Sequence, residues 1–253
     1  MIRGVLFDLS GVLYVGQHAV PGALKSLEKL RQARLPIRFV TNVTRSPAAE
    51  IQRRLAEMGF IISPDELISA PRAARAHLIS HGLSPYLLIH PALEPEFADL
   101  VGESPNSVLL GDAGDGFNYA NLNYAFRLLI EGAPLLAMGN NHYFQDDDGL
   151  SLDIGPFVAA LEYASGKSAL ILGKPSPHLF LAAVESLGCD PSETVMVGDD
   201  ALADVEGALA AGLQGVLVQT GKYRAGDEMK ISLPGATVLA EINAATEWIL
   251  SRV

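Results

Sequence analysis

The stretch GVLFDLSGVLY, residues 4–14, decides the fold. Val5, Leu6 and Phe7 form a short apolar run of the kind a fully buried strand requires, and Gly11 marks the turn that follows. One carboxylate, Asp8, stands where the run stops, and the hydroxyl of Ser10 lies two positions on. In an open parallel sheet, ligands are met beyond the carboxyl ends of the strands, so a strand that ends in charge invites a search for others like it.

Outward from this stretch, strand-like and helix-like segments alternate. Residues 20–33 place Ala23, Leu24, Leu27 and Leu30 at helical spacing, with Pro21 just inside the start and a break at Leu35–Pro36. Residues 37–42 then read as a strand and 46–59 as a helix opened by Ser46–Pro47 and closed by Gly59. A further strand at 66–70 and a helix at 71–82 repeat the unit. Such alternation predicts βαβ units, hence an α/β fold with a Rossmann-like parallel sheet and helices on both faces.

The rhythm changes near Ser84. Strand-like 86–90, 107–112 and 134–139, a helix at 119–132, an acidic turn at 145–153 and a helix at 155–166 form a second group. The first rhythm resumes at ALILGK, 169–174, and continues through 178–188, 194–199, 201–212 and 215–221 to a terminal helix at 240–251. The expected organisation is a core domain of residues 1–83 and 169–253, interrupted by an α/β cap domain of residues 84–168.

With 49% apolar and 19% charged residues, the 253-residue chain is expected to fold around well-packed cores. Its net charge of −11 argues against nucleic acid or an anionic membrane as partner. An anionic ligand would need local positive groups or a metal to overcome that field. A single cysteine, Cys189, allows no intramolecular disulfide. Neither a leader-like segment nor an apolar run of about 18 residues is present, so a cytoplasmic protein is expected.

Four strand ends carry polar groups. The first has Asp8, Ser10 and Gly11; the second has Thr41–Asn42; Gly173–Lys174–Pro175 follows the third; Gly198–Asp199–Asp200 closes the fourth, with Asp204 one helical turn on. Each alone has an ordinary explanation: a strand-end Asp or Thr commonly caps a helix, and a lysine is commonly solvated. Together they supply what metal-assisted phosphoryl transfer needs. Asp8 can attack phosphorus, Asp8 and Asp199 are oxygen ligands suited to Mg²⁺, and Thr41, Asn42 and Lys174 can hold phosphoryl oxygens, with Gly11 allowing close backbone approach.

In that order, FDLSGVLY, VTN, GKPSP and GDDALADVEGA resemble the four signature motifs of the haloacid dehalogenase superfamily of phosphohydrolases. Residues 117–138 and 155–166 resemble the large cap of its 4-nitrophenylphosphatase-like branch. The D-x-S-G opening is similar to that of the phospholysine phosphohistidine inorganic pyrophosphate phosphatase group and its hydrolase-domain-containing relatives. The resemblance implies Asp8 as nucleophile and Mg²⁺ ligand, the Ser10 backbone carbonyl and Asp199 as further ligands, and Thr41, Asn42 and Lys174 on phosphate. Asp200 and Asp204 would support the metal from behind, and a homodimer through the cap would be in keeping with the family.

Ser10 departs from the pattern, since most phosphatases of the superfamily carry there a second Asp that protonates the leaving group and then activates water. A serine hydroxyl cannot cycle a proton near neutral pH, and such assistance is worth about 10² to 10⁴ in rate. Two readings follow: an enzyme for activated groups (pyrophosphate, acyl phosphate or phosphoramidate), or a phosphate-binding regulatory module with feeble turnover. A phosphoacceptor receiver is disfavoured by motif order, and a dehalogenase by an acidic motif its chemistry does not need. In the cap, Phe117, Tyr119, Tyr124 and Phe126 read as core. His142, Tyr143 and Phe144 read as either packing or substrate contacts. The run at 146–153 hints at a calcium loop but lacks the remaining ligand spacing, which favours a solvated turn.

Overall fold

In the computed structural model, residues 1–146 and 149–253 are described. Along the chain the strands are β1 (Gly4–Phe7), β2 (Tyr14–Val15), β3 (His18–Ala19), β4 (Ile37–Thr41), β5 (Leu67–Ser69), β6 (Pro85–Leu88), β7 (Ser107–Leu110), β8 (Leu135–Ala137), β9 (Tyr143–Asp146), β10 (Gly149–Leu152), β11 (Leu170–Ile171), β12 (Thr194–Gly198), β13 (Gln214–Val218) and β14 (Ala236–Leu239). The chain divides into two compact units: one of residues 1–41, 49–68 and 174–253, the other of residues 42–48 and 69–173.

The first unit is built on a six-stranded sheet in the order β14-β13-β12-β1-β4-β5. β1 pairs in parallel with both β12 and β4, and β12, β13 and β14 continue in parallel. Every residue of β1 and β12 is buried, as their apolar sequences require of central strands. The helices follow from the right-handed crossover rule, which places connections on opposite faces in the two halves of the sheet. Ala23–Gln32 packs against the terminal helix Ile242–Leu250, while Pro177–Leu187 packs against β1, β4 and the short helix Gly207–Ala210. Ala23, Leu27 and Leu30 are buried as expected, but Leu24 is half exposed, and the helix begins at Ala23 with Gly22 as its N-cap. Pro21 therefore lies outside it.

The second unit holds a four-stranded sheet in the order β11-β8-β7-β6 and the antiparallel hairpin β9-β10. Its sheet pairs are parallel. Its core joins Leu88, Val108, Leu109, Leu110, Leu136 and Ala137 of the strands to Ala125, Leu129, Val158 and Leu161 of the helices Tyr119–Ile130 and Ile154–Ser165.

This unit is wider than the insertion expected at residues 84–168. The helix Ala70–Ser80 belongs to it, because Ala70, Ala74 and Leu78 are buried in its core. β11 belongs to it as well, through the pairs Leu170↔Leu136 and Ile171↔Ala137, so ALILGK does not return the chain to the first sheet. Phe117 stacks on Phe157 with ring centroids 3.7 Å apart, and Phe126 packs against the core, in line with expectation. Tyr119 and Tyr124 do not: Tyr119 is 84% exposed, and Tyr124 meets Tyr86 edge-on at the surface. Among the described residues, no helix is long and apolar enough to cross a membrane.

Candidate active site

Sheet topology selects the place where chemistry can gather. From β1 the chain moves outward to β4 and β5; from β12 it moves the opposite way to β13 and β14. Neighbouring strands left in opposite directions define a topological switch point, and a crevice opens at their carboxyl ends. β1 ends one residue before Asp8, and β12 ends one residue before Asp199. Their register, Phe7↔Val197, continues past the strand through the Asp8 N–H, which donates to the Val197 carbonyl at 2.9 Å. Phe7 is also level with Phe39 of β4, so buried Thr41 ends its strand at the same edge.

Lys174 reaches this edge by a route the sequence does not announce. The strand before it lies in the other unit's sheet, so Lys174 ends no strand of this one. Its Nζ donates to Asp8 Oδ1 at 2.5 Å and to Asp204 Oδ1 at 2.7 Å, and the side chain is almost fully buried. Burial alone would lower the pKa of this ammonium, but the carboxylates of Asp204 and Asp8 outweigh that effect and raise it. Lys174 is therefore a fixed cation at neutral pH.

The two acidic residues after Asp199 have separate duties. Asp200 Oδ1 accepts from the N–H groups of Leu202 and Ala203, capping the π-helical turn Ala201–Glu206. Its Oδ2 lies 3.8 Å from the exposed Lys222 ammonium. Asp204, fully buried, accepts from Lys174 on one oxygen and from the Asp200 N–H, at 3.1 Å, on the other. It anchors the lysine.

Asp8, Asp199 and Asp204 bring ligand oxygens within 4.8 Å of one another. Asp199 is pushed up to about 6, first by burial and then by the Asp8 charge. Its Oδ2 accepts the Lys222 N–H at 2.6 Å, whereas Oδ1 is buried without a hydrogen-bond partner. A buried carboxylate oxygen left unsatisfied beside a second carboxylate is a feature that a divalent cation resolves. Since both oxygens of Asp204 are engaged, Asp8 and Asp199 are the side chains fitted to hold one. Three carboxylates against one lysine also leave the cluster net negative, hostile to a phosphate until a cation is present.

Gly11 explains why the turn after Asp8 tolerates no side chain. Its φ of 87° is in the left-handed region, and a Cβ there would overlap the Asp199 carboxylate. Ser10 is exposed at this turn. Tyr14, which returns to the turn through its carbonyl by accepting the Gly11 N–H at 2.7 Å, is buried. Burial and then the nearby Asp8 charge push its phenol up, so it stays protonated.

Of the remaining expected positions, Asn42 packs with the second unit although it follows Thr41 directly. In that unit Arg45 pairs with the buried Asp112 and lies 4.3 Å above the ring of Phe144, while His142 and Tyr143 are exposed. The hint of a calcium loop falls partly on Asp147 and Asp148, which lie outside the described residues. The β2-β3 hairpin and the loop 219–222 carry no motif: two-residue strands are too short for periodicity, 215–221 reads only as one more segment of the alternating rhythm, and the loop's contacts come from a glycine, a backbone N–H and one hydroxyl.

Comparison with known proteins gives a consistent result. Residues 5–101 match the model of the haloacid dehalogenase-like hydrolases, and residues 171–245 match a HAD-hydrolase-like model. The human haloacid dehalogenase-like hydrolase domain-containing protein 2 is 44% identical over 252 residues, covering 100% of this chain and 97% of its own. The Xenopus laevis phospholysine phosphohistidine inorganic pyrophosphate phosphatase is 42% identical over 234 residues, covering 90% and 87%. Among solved structures, a 4-nitrophenylphosphatase from Thermotoga maritima has a TM-score of 0.88 at 26% identity, covering 97% of each chain. A glycerol phosphate phosphatase from Mycobacterium tuberculosis, in complex with magnesium, has a TM-score of 0.82 at 28% identity, covering 96% of this chain and 76% of its own.

Proposed function

The chain belongs to the haloacid dehalogenase-like hydrolases and is a phosphatase, and from that premise we propose that it hydrolyses activated phosphoryl groups through an aspartyl phosphate on Asp8, with Mg²⁺ as cofactor. The observation that carries this reading is the convergence of Asp8, Lys174 and Asp199 at the switch point of the sheet. Asp8 is the nucleophile: its carboxylate attacks phosphorus, and the leaving group departs with the bonding pair. Lys174, locked between Asp8 and Asp204, keeps a positive charge where a phosphoryl group and its growing negative charge would sit. Thr41 and Asn42 are assigned to the phosphoryl oxygens, and the Gly11 turn brings backbone close to them. Asp8, Asp199 and the Ser10 carbonyl would hold Mg²⁺, which when bound neutralises the phosphate and screens the paired carboxylates.

Ser10 sets the substrate class. With no carboxyl acid at that position, a leaving group must depart without a proton from residue 10. Pyrophosphate, acyl phosphates and phosphoramidates protonated on nitrogen satisfy this; alkyl phosphates do not. The relative named for phospholysine, phosphohistidine and pyrophosphate points the same way. The test is a panel of these substrates beside simple phosphomonoesters, each with Mg²⁺ and with a chelator. The expected result is metal-dependent phosphate release that favours the activated group; equal rates on both classes would overturn the Ser10 argument.

A further inference from the structure

A fifth segment, outside the four motifs, reaches the same edge. β13 ends at Val218, and residues 219–222 then turn against the Asp199 carboxylate and the Gly11 backbone. The Thr220 hydroxyl donates to the Gly11 carbonyl at 2.5 Å, and the Lys222 N–H donates to Asp199 Oδ2 at 2.6 Å. Between them Gly221, with φ of 59°, sits so close that a Cβ would overlap both Asp199 Oδ2 and the Gly11 Cα. Asp199 is thus gripped between two glycines, one from the turn after β1 and one from the loop after β13.

The loop is itself held rigid. The Arg224 guanidinium donates to the carbonyls of Gly221, Lys222 and Tyr223 at 3.3, 3.0 and 2.8 Å, and the Arg224 N–H donates to Asp227 Oδ2 at 2.8 Å. The Tyr223 N–H closes the turn onto the Thr220 carbonyl at 3.1 Å. A carboxylate has two equivalent oxygens and a broad terminal torsion, so something must choose which oxygen is presented. Here Oδ2 is consumed by Lys222, and Oδ1 is left buried and unsatisfied.

We infer that Thr220, Gly221 and the Lys222 backbone form a positioning clamp, which fixes Asp199 with Oδ1 offered to the divalent cation and thereby sets the affinity for it. The inference rests on the reading of Asp199 as a metal ligand and deepens it: cation affinity is written partly in a loop that contributes no ligand. Residues that orient a ligand from behind typically govern metal affinity by about 10- to 100-fold.

The experiment is calorimetric titration of the full chain with Mg²⁺ alone, after chelator treatment, with thermal unfolding of each variant alongside. Gly221→Ala should weaken Mg²⁺ binding by at least about 10-fold. Thr220→Val should weaken it by about 5-fold, the worth of one hydrogen bond, and Thr220→Ser should restore it. Gly188→Ala serves as control, because Gly188 has a similar φ of 67° but nothing near its Cβ; it should bind Mg²⁺ as the wild type does. If Gly221→Ala does not fold, the Thr220 pair decides. Wild-type affinity in both Gly221→Ala and Thr220→Val would overturn the clamp and leave the metal site intact. Absence of Mg²⁺ binding by the wild type would overturn the metal site itself.

Discussion

Asp199→Asn should make the metal-free protein more stable at neutral pH. The reason is that the buried carboxylate, pressed by Asp8, resists ionisation: it is pushed from the ordinary 3.8 up to about 6. In the unfolded chain the same carboxyl ionises near its ordinary value. Below about pH 4 both states are protonated and the residue contributes no instability. As pH rises, the unfolded state loses its proton first, so stability falls until the folded carboxyl has also ionised above about 6. The displacement is worth about 1.4 kcal/mol per pH unit, giving roughly 3 kcal/mol at pH 7.5 and about 1 kcal/mol at pH 4.5. Asparagine keeps an oxygen for the Lys222 N–H and removes the charge. Urea unfolding with chelator present should therefore find Asp199→Asn more stable than wild type by about 2 to 3 kcal/mol at pH 7.5, with the gap shrinking toward pH 4.5. Adding Mg²⁺ at about 100 times its dissociation constant should raise only the wild type, by about 2.7 kcal/mol. An Asp199→Asn variant no more stable than wild type at pH 7.5, or a gap indifferent to pH, would refute the reasoning.

Other outcomes follow from the same geometry. Asp8→Asn keeps an acceptor for Lys174 but removes the nucleophile, so turnover should fall more than about 10³-fold with circular dichroism unchanged; retained turnover would remove Asp8 from the mechanism. Ser10→Asp should raise rates on phosphomonoesters by about 10-fold or more, read as kcat/KM on the substrate panel; unchanged monoester rates in a folded variant would count against the account of Ser10. Lys174→Met would strand Asp8 and Asp204 without their cation, at a cost of about 3 to 5 kcal/mol in urea unfolding at neutral pH. Wild-type stability would show that the pair is not charged as described.

The parts of the molecule legible in the sequence are those whose cause is local. Apolar runs identify β1, β4 and β12, and the residues that end them, Asp8, Thr41 and Asp199, arrive at one edge because parallel pairing carries them there. Sheet membership is not local, and there the reading fails. Leu170–Ile171 is as good a strand for either sheet; only its pairing with Leu136–Ala137 assigns it. Lys174 meets Asp8 and Asp204, but it enters from a loop rather than from a strand of this sheet. The helix Ala70–Ser80 continues the first rhythm in sequence yet buries its small residues in the other core. Asp204 and Asp200 look alike on paper, but one is sealed against Lys174 and the other caps a turn. Tyr119 and Tyr124 share the spacing of core aromatics, and spacing alone does not say which side of a helix is covered. The clamp on Asp199 is invisible to side-chain motifs, because its contacts come from a glycine, a backbone N–H and one hydroxyl.

Whether Asp8 itself takes up the phosphoryl group can be read chemically. The enzyme is quenched in acid while turning over pyrophosphate with Mg²⁺, reduced with borohydride, digested and sequenced by mass spectrometry. Homoserine is expected in place of Asp8, formed only when Mg²⁺ is present and absent from Asp8→Asn. Unmodified Asp8 during measured turnover, or reduction at another carboxylate, would contradict phosphoryl transfer to Asp8.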